Sequence, residues 1–134
     1  MTVQISTKIN RSHLVCGETA LILPTLGRTE KDVQASGEQW ISVEDSTCSS
    51  RGPLKPASEF LRSEVAIVSG IAEATLGDRY GLDWKGFRDD YRNIRKHISR
   101  VVAGCEGYEV NVRRPGGFVL PHPPRDSRTF ETKS

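Results

Sequence analysis

No apolar run in this 134-residue chain is longer than four residues, the longest being Ala20–Leu23 and Val65–Val68. A membrane-spanning helix needs about 20 such residues, so that class is excluded. Apolar residues of any kind are scarce, 36% of the chain against the roughly 45–50% of ordinary domains. The length suits one domain with a core, so the shortage is of core material rather than of size. Charge of one sign is lacking as well: nineteen Lys and Arg against seventeen acids leave +2, too little to signal a polyanionic partner. Cysteine is sparse. Cys16, Cys48 and Cys105 are odd in number and contain no C-x-x-C pair, which argues against a disulfide framework and against cysteine-ligated zinc or iron–sulfur within the chain. Met1–Ile5 carries no apolar signal core. A cytoplasmic chain with ordinary thiols and no membrane partner is expected.

What is present divides into three textures. In residues 1–57, Val3-Gln4-Ile5 reads as a short strand and Ala20-Leu21-Ile22-Leu23 as a compact buried strand stopped by Pro24, which cannot continue a central ladder. Trp40-Ile41-Ser42-Val43 is a third strand, reached through the long polar loop Thr25–Gln39. Residues 58–104 predict two helices. Ser63 is placed as an N-cap ahead of Val65, Val68, Ile71, Ala72 and Leu76, with Gly77 as the stop. Asp83 caps a second, in which Trp84, Phe87, Tyr91, Ile94, Ile98 and Val101 form one apolar stripe closed by Gly104. The remainder is a Gly- and Pro-rich tail, with turns at Gly104–Gly107 and Arg114–Gly117 and a short strand candidate at Phe118-Val119-Leu120. The fold class expected is α/β: a partial domain with a few short strands, two main helices (about 63–76 and 84–103) and an irregular tail. The expected division is 1–104 and 105–134.

Chemistry-bearing patterns are few. His13, His97 and His122 show no i, i+4 metal spacing, and no glycine segment has the Lys-Ser/Thr of a phosphate loop. Arg88, Arg92, Arg95, Lys96 and Arg100 lie largely opposite the apolar stripe, but Asp89 and Asp90 interrupt them, so a solvated face is expected and nucleic acid is not an expected partner. Two dense polar segments stand out, Ser6–His13 and Leu23–Glu30 with Gln34–Gly37. Both lie just outside strand ends, where α/β folds place ligands.

Those same segments carry a resemblance. Ser6-Thr7-Lys8-Ile9-Asn10-Arg11-Ser12-His13-Leu14, Ile22-Leu23-Pro24-Thr25-Leu26-Gly27-Arg28-Thr29-Glu30, Gln34-Ala35-Ser36-Gly37, Val43-Glu44-Asp45-Ser46, Ser50-Arg51-Gly52, Pro56-Ala57-Ser58, Arg114-Pro115-Gly116-Gly117-Phe118 and Pro121-His122-Pro123-Pro124-Arg125-Asp126 recur in this order. Together they resemble an internal-to-late stretch of molybdopterin-dependent oxidoreductases, specifically formate-dehydrogenase-like alpha subunits of the YdeP type. The resemblance implies a large enzyme with a bis(molybdopterin guanine dinucleotide) cofactor holding molybdenum, and a 4Fe-4S cluster in full-length relatives. It implies that this chain is a fragment whose partners are the missing segments of the same enzyme, including a C-terminal cofactor-binding domain beyond residues 105–134. No cofactor is expected to stay bound to this chain alone, which is expected to be inactive, and no residue is assigned as catalytic or metal-ligating. The ligand-side candidates are Lys8, Asn10, Arg11, His13, Arg28 and Glu30, with Lys8 and Arg28 suited to anionic cofactor oxygens. A non-catalytic interaction module, or a nucleic-acid binder working through the Arg-rich helix, is the alternative.

Overall fold

The aliphatic residues near the start of the chain build a parallel ladder. The computed structural model describes residues 1–37, 41–43 and 48–119. Strand β1 (Thr2–Ser6) pairs in parallel with β2 (Ala20–Pro24), in register from Thr2↔Ala20 to Ser6↔Pro24. Residues 7–19 connect them through a single 3-10 turn, Arg11–Leu14, with no helical crossover. Pro24, which has no N–H to donate, ends β2 as expected. The expected burial of β2 is found only at Leu23, which is half-buried; Ala20, Leu21 and Ile22 are exposed, because no helix or third strand packs closely on the ladder among the described residues. Two shorter strands, β3 (Ile41–Val43) and β4 (Cys48–Ser50), form a separate two-stranded sheet. β3 is the expected third strand; Trp40 and the strand-like 129–134 lie outside the described residues.

Helix α1 (Glu64–Leu76) starts where the sequence places it. Ser63 is extended and its Oγ accepts the Ala66 N–H at 3.1 Å, a cap typically worth about 1 kcal/mol. Gly77 takes a positive φ of 52° at the other end, and its N–H reaches the Glu73 carbonyl at 3.1 Å. The second helical span is interrupted. α2 (Trp84–Asp89) is capped by Asp83, whose Oδ1 accepts the Gly86 N–H at 2.8 Å. Asp90 is extended (φ −155°, ψ 106°), and α3 (Tyr91–Val101) begins anew behind it. The physical reason is in Asp90 itself: its carboxylate accepts the Arg92 N–H at 2.9 Å, the local bond that makes Asp a better cap than interior residue. Asn93 stitches the break by donating Nδ2 to the Gly86 carbonyl at 3.0 Å. A further short helix, α4 (Tyr108–Asn111), follows Gly107.

The described residues fall into two compact units: Met1–Ile41 with Arg51–Ile94, and Ser42–Ser50 with Arg95 onward. In the first, α1 packs on α2, with Trp84 donating its ring N–H to the Gly77 carbonyl at 3.2 Å and meeting Phe87 edge-on at 5.9 Å. Its interior is otherwise polar, with Thr25, Gln34, Ser63 and Ser69 buried beside Tyr91. The second unit holds the apolar cluster of Cys105, Tyr108 and Val112, joined by Ile98 and Phe118. Tyr108 and Phe118 meet edge-on at 5.3 Å, an arrangement worth about 0.5–1.5 kcal/mol beyond burial. Phe118 is therefore a packing residue, Val119 is exposed, and neither lies in a strand; Leu120 lies outside the described residues. The Arg114–Gly117 turn forms as expected, with the Gly117 N–H on the Arg114 carbonyl at 2.8 Å. Among the described residues no helix is long and apolar enough to cross a membrane.

Candidate functional site

The loops flagged in the sequence leave the same end of the parallel ladder, since Ser6 and Pro24 are paired and the Thr25 N–H still reaches the Ser6 carbonyl at 3.2 Å. Within the first loop Asn10 and His13 close a reciprocal cap. Asn10 Oδ1 accepts the Ser12 N–H at 2.9 Å, and His13 Nδ1 accepts the Asn10 N–H at 3.0 Å. Lys8 and Arg11 are exposed beside them. In the second loop Arg28 is exposed, whereas Glu30 is engaged on both oxygens. Its Oε2 accepts the Gly27 N–H at 2.6 Å and its Oε1 the Ala57 N–H at 2.5 Å. The clamp joins residues 27–31 to 54–57, aided by Lys31 N–H on the Leu54 carbonyl at 2.7 Å. Gly52 completes it. A Cβ there would stand 2.1 Å from the Glu30 carbonyl oxygen, so only glycine lets the two backbones approach this closely.

The clamp holds one wall of a cleft of about 630 Å³ within the first unit, lined by Lys31, Asp32, Gln34, Lys55, Arg62, Ser63, Arg88 and Tyr91 among others. Its floor is a directed line of hydrogen bonds. Tyr91 donates its O–H to Asp32 Oδ2 at 2.5 Å. That leaves Ser63 as the donor in its 2.6 Å contact with the Tyr91 oxygen, while Ser63 Oγ itself accepts the Ala66 N–H. Gln34, only 4% exposed, gives its amide N–H to the Asp32 carbonyl at 3.0 Å, and its Oε1 is buried without a partner. Sequence reasoning placed Ser63 as a cap and Tyr91 in the apolar stripe but missed their meeting with Asp32. The signal was the Tyr hydroxyl: in an otherwise apolar stripe it needs a partner once buried.

Burial raises the Asp32 carboxyl above its ordinary range, and the hydrogen bond from Tyr91, with the Ser63 hydroxyl close by, pulls it back in part. Burial, with Asp32 beside it, raises the Tyr91 phenol far above its own range. Tyr91 therefore stays protonated and acts as a fixed donor, and Asp32 is the group in the line that can exchange a proton. Glu30 moves the opposite way. The Gly27 and Ala57 N–H groups favour its carboxylate and lower its pKa. A lowered folded-state pKa adds stability above the unfolded value and loses it as the pH falls through the folded one. Glu30→Gln should therefore melt below the parent at neutral pH, because an amide can accept from only one of the two N–H groups. The gap should close in strong acid. Thermal melts of both proteins across the acid range check this, and a gap that stays constant would contradict it.

The basic helix face differs from expectation at one residue. Arg95 is buried, 3% exposed, and its guanidinium is ion-paired with Glu109, which also takes Arg113 Nε at 2.8 Å. Arg88 pairs with Glu73 at 3.4 Å and Asp89 at 3.2 Å, and Arg92 with Asp90 at 2.6 Å. Lys96 and Arg100 are exposed as expected. An arginine at Arg95 is inside because the second unit is short of aliphatic filling, and its stem and charge are both used.

The chain is similar to a stretch of longer known proteins. An oxidoreductase of Mycobacterium tuberculosis, named as uncharacterized, is 53% identical over a 137-residue alignment that takes in all of this chain and 18% of the relative. Its Mycobacterium bovis counterpart matches equally. Protein YdeP of Shigella flexneri is 45% identical over 123 residues, 90% of this chain and 16% of its own. No protein-family model matches, and no solved structure does. The chain is thus similar, along its whole length, to a segment of larger oxidoreductases, and it spans about 18% of the length of the mycobacterial relatives.

Proposed function

We propose that the chain acts as a segment of a molybdopterin-dependent, formate-dehydrogenase-like oxidoreductase, contributing part of the cofactor and substrate environment and inactive by itself. The observation that carries this is the 53% identity along the entire chain to one stretch of a larger oxidoreductase; the ordered motifs quoted above supply the finer class. When bound, bis(molybdopterin guanine dinucleotide) supplies the redox chemistry, and the protein orients and tunes it.

The residues fit the anionic part of such a cofactor. Lys8, Arg11 and Arg28 stand exposed on two loops leaving one end of a parallel ladder, and their charge suits diphosphate oxygens. Asn10, His13 and Glu30 suit it less, since their side chains already hold the loops in shape. They would serve by positioning the cations. Among the described residues no three His, Cys, Asp or Glu stand together to hold a metal ion. The acid partners of Arg88, Arg92 and Arg95 leave little charge for a nucleic-acid reading.

The test is metal analysis in a host that makes the cofactor. The isolated chain should hold no stoichiometric molybdenum and reduce no dye with formate, whereas a full-length relative should carry the metal and lose occupancy on Lys8→Ala or Arg28→Ala at the matching positions. Near-stoichiometric molybdenum and formate-dependent dye reduction in the isolated chain would refute its being inactive alone. A molybdenum-free full-length relative would refute the cofactor class.

A further inference from the structure

The ladder of β1 and β2 is only partly covered: Ile5 and Leu23 are half-buried and Gln4 donates Nε2 to the Ser12 carbonyl at 3.1 Å, while three aliphatic side chains stay exposed. The register sets Val3 beside Leu21 on one face and Gln4 beside Ile22 on the other. Val3 is 40%, Leu21 47% and Ile22 41% exposed, and neither strand has a second neighbour among the described residues. Parallel sheets occur almost only where both faces are covered, and their strands read as unbroken aliphatic runs, whereas a half-solvated antiparallel strand alternates. Ala20-Leu21-Ile22-Leu23 is such an unbroken run. The sequence of this strand is therefore written for a setting with a layer on each side. The mycobacterial relatives match the whole chain along a stretch that makes up 18% of their own length.

We propose that β1 and β2 are two strands of a larger parallel sheet, completed by aliphatic strands and covering helices from the remainder of the same oxidoreductase polypeptide, with Leu21 and Ile22 as the contact residues on its two faces. This rests on reading the chain as a segment of a larger oxidoreductase. The sheet reading fixes which surface meets the rest of that polypeptide and by what chemistry: backbone pairing along a strand edge, and aliphatic packing above and below.

Amide hydrogen exchange tests it, in the purified 134-residue chain and in the full-length Mycobacterium tuberculosis relative. The stretch matching Ala20–Pro24 should exchange about 100-fold or more slowly in the full-length protein than in the isolated chain. Leu21→Lys should change the melting temperature of the isolated chain little, since that side chain is already about half exposed. Equal exchange in the two proteins would overturn the proposal. Protection that rises with concentration in the isolated chain would also overturn it, assigning the surface to a second copy. The readout is separate from that of the cofactor reading: a protected strand in a molybdenum-free full-length protein would refute the cofactor class and leave the completed sheet standing.

Discussion

Replacing Glu109 by alanine should destabilise the chain by about 3–5 kcal/mol, the range for removing one partner of a buried ion pair. Arg95 is what makes the effect large. Its side chain is almost wholly enclosed, and Glu109 supplies the carboxylate facing its guanidinium from α4. Without that carboxylate the guanidinium keeps its charge, since arginine does not deprotonate in proteins, and sits in a place that water does not solvate. Arg95→Met should behave differently. It removes the charge that needs a partner and retains the stem that packs, so its cost should be small or even negative. Glu109 would then keep Arg113 as its neighbour. Denaturant melts of the three proteins decide the matter. Similar losses for both variants would show that the pair contributes by packing and not by charge.

Tyr91→Ala should cost about 3–5 kcal/mol, as for a buried aromatic removed without replacement. Tyr91→Phe separates ring from hydroxyl and should cost about 1–3 kcal/mol, because Asp32 and Ser63 each lose a partner in a half-enclosed site. The phenylalanine variant should also show a pH signature. Burial raises the Asp32 pKa, so ionising Asp32 opposes folding as the pH climbs from its unfolded value through its folded one. Without the Tyr91 donor that opposition grows. The penalty of Tyr91→Phe should therefore be larger at neutral pH than in acid, where a protonated Asp32 needs less help. A penalty independent of pH would mean that Tyr91 does not stabilise the Asp32 carboxylate.

Local structure was readable where a single residue dictates it. Ser63, Gly77, Asp83 and Pro24 mark their boundaries through a hydroxyl, a missing Cβ, a carboxylate and a missing N–H, and each acts within four residues of its own position. The break at Asp90 was missed because the 3.6-residue period runs through it unchanged. Trp84, Phe87, Tyr91 and Ile94 keep helical spacing even though one backbone carboxylate bond restarts the helix between them. The burial of Arg95 and the exposure of Leu21 were missed for a common reason: hydropathy reports what a residue prefers, and enclosure depends on which neighbours are present to supply it. The Asp32–Tyr91–Ser63 line was beyond reach because its members come from a loop, a helix and a cap far apart in the chain. The polar segments around Lys8 and Glu30 were legible as dense clusters. Their division into turn-formers (Asn10, His13, Glu30) and exposed cations (Lys8, Arg11, Arg28) needed the hydrogen bonds.

The distances along the chain that these contacts span set an order of assembly. In the second unit Arg95 and Glu109 are 14 residues apart, and Ser99 Oγ accepts the Tyr108 N–H across only nine. In the first, Ser63 and Tyr91 are separated by 28 residues and Asp32 and Tyr91 by 59. Bringing ends together costs entropy that grows with loop length, and it is spent before the contact returns anything. Chains rich in short-range contacts accordingly fold faster than those built on distant ones. The cleft is thus the late-forming part of the molecule: the tyrosine that floors it becomes useful only after the loop carrying Asp32 and the cap of α1 have both arrived.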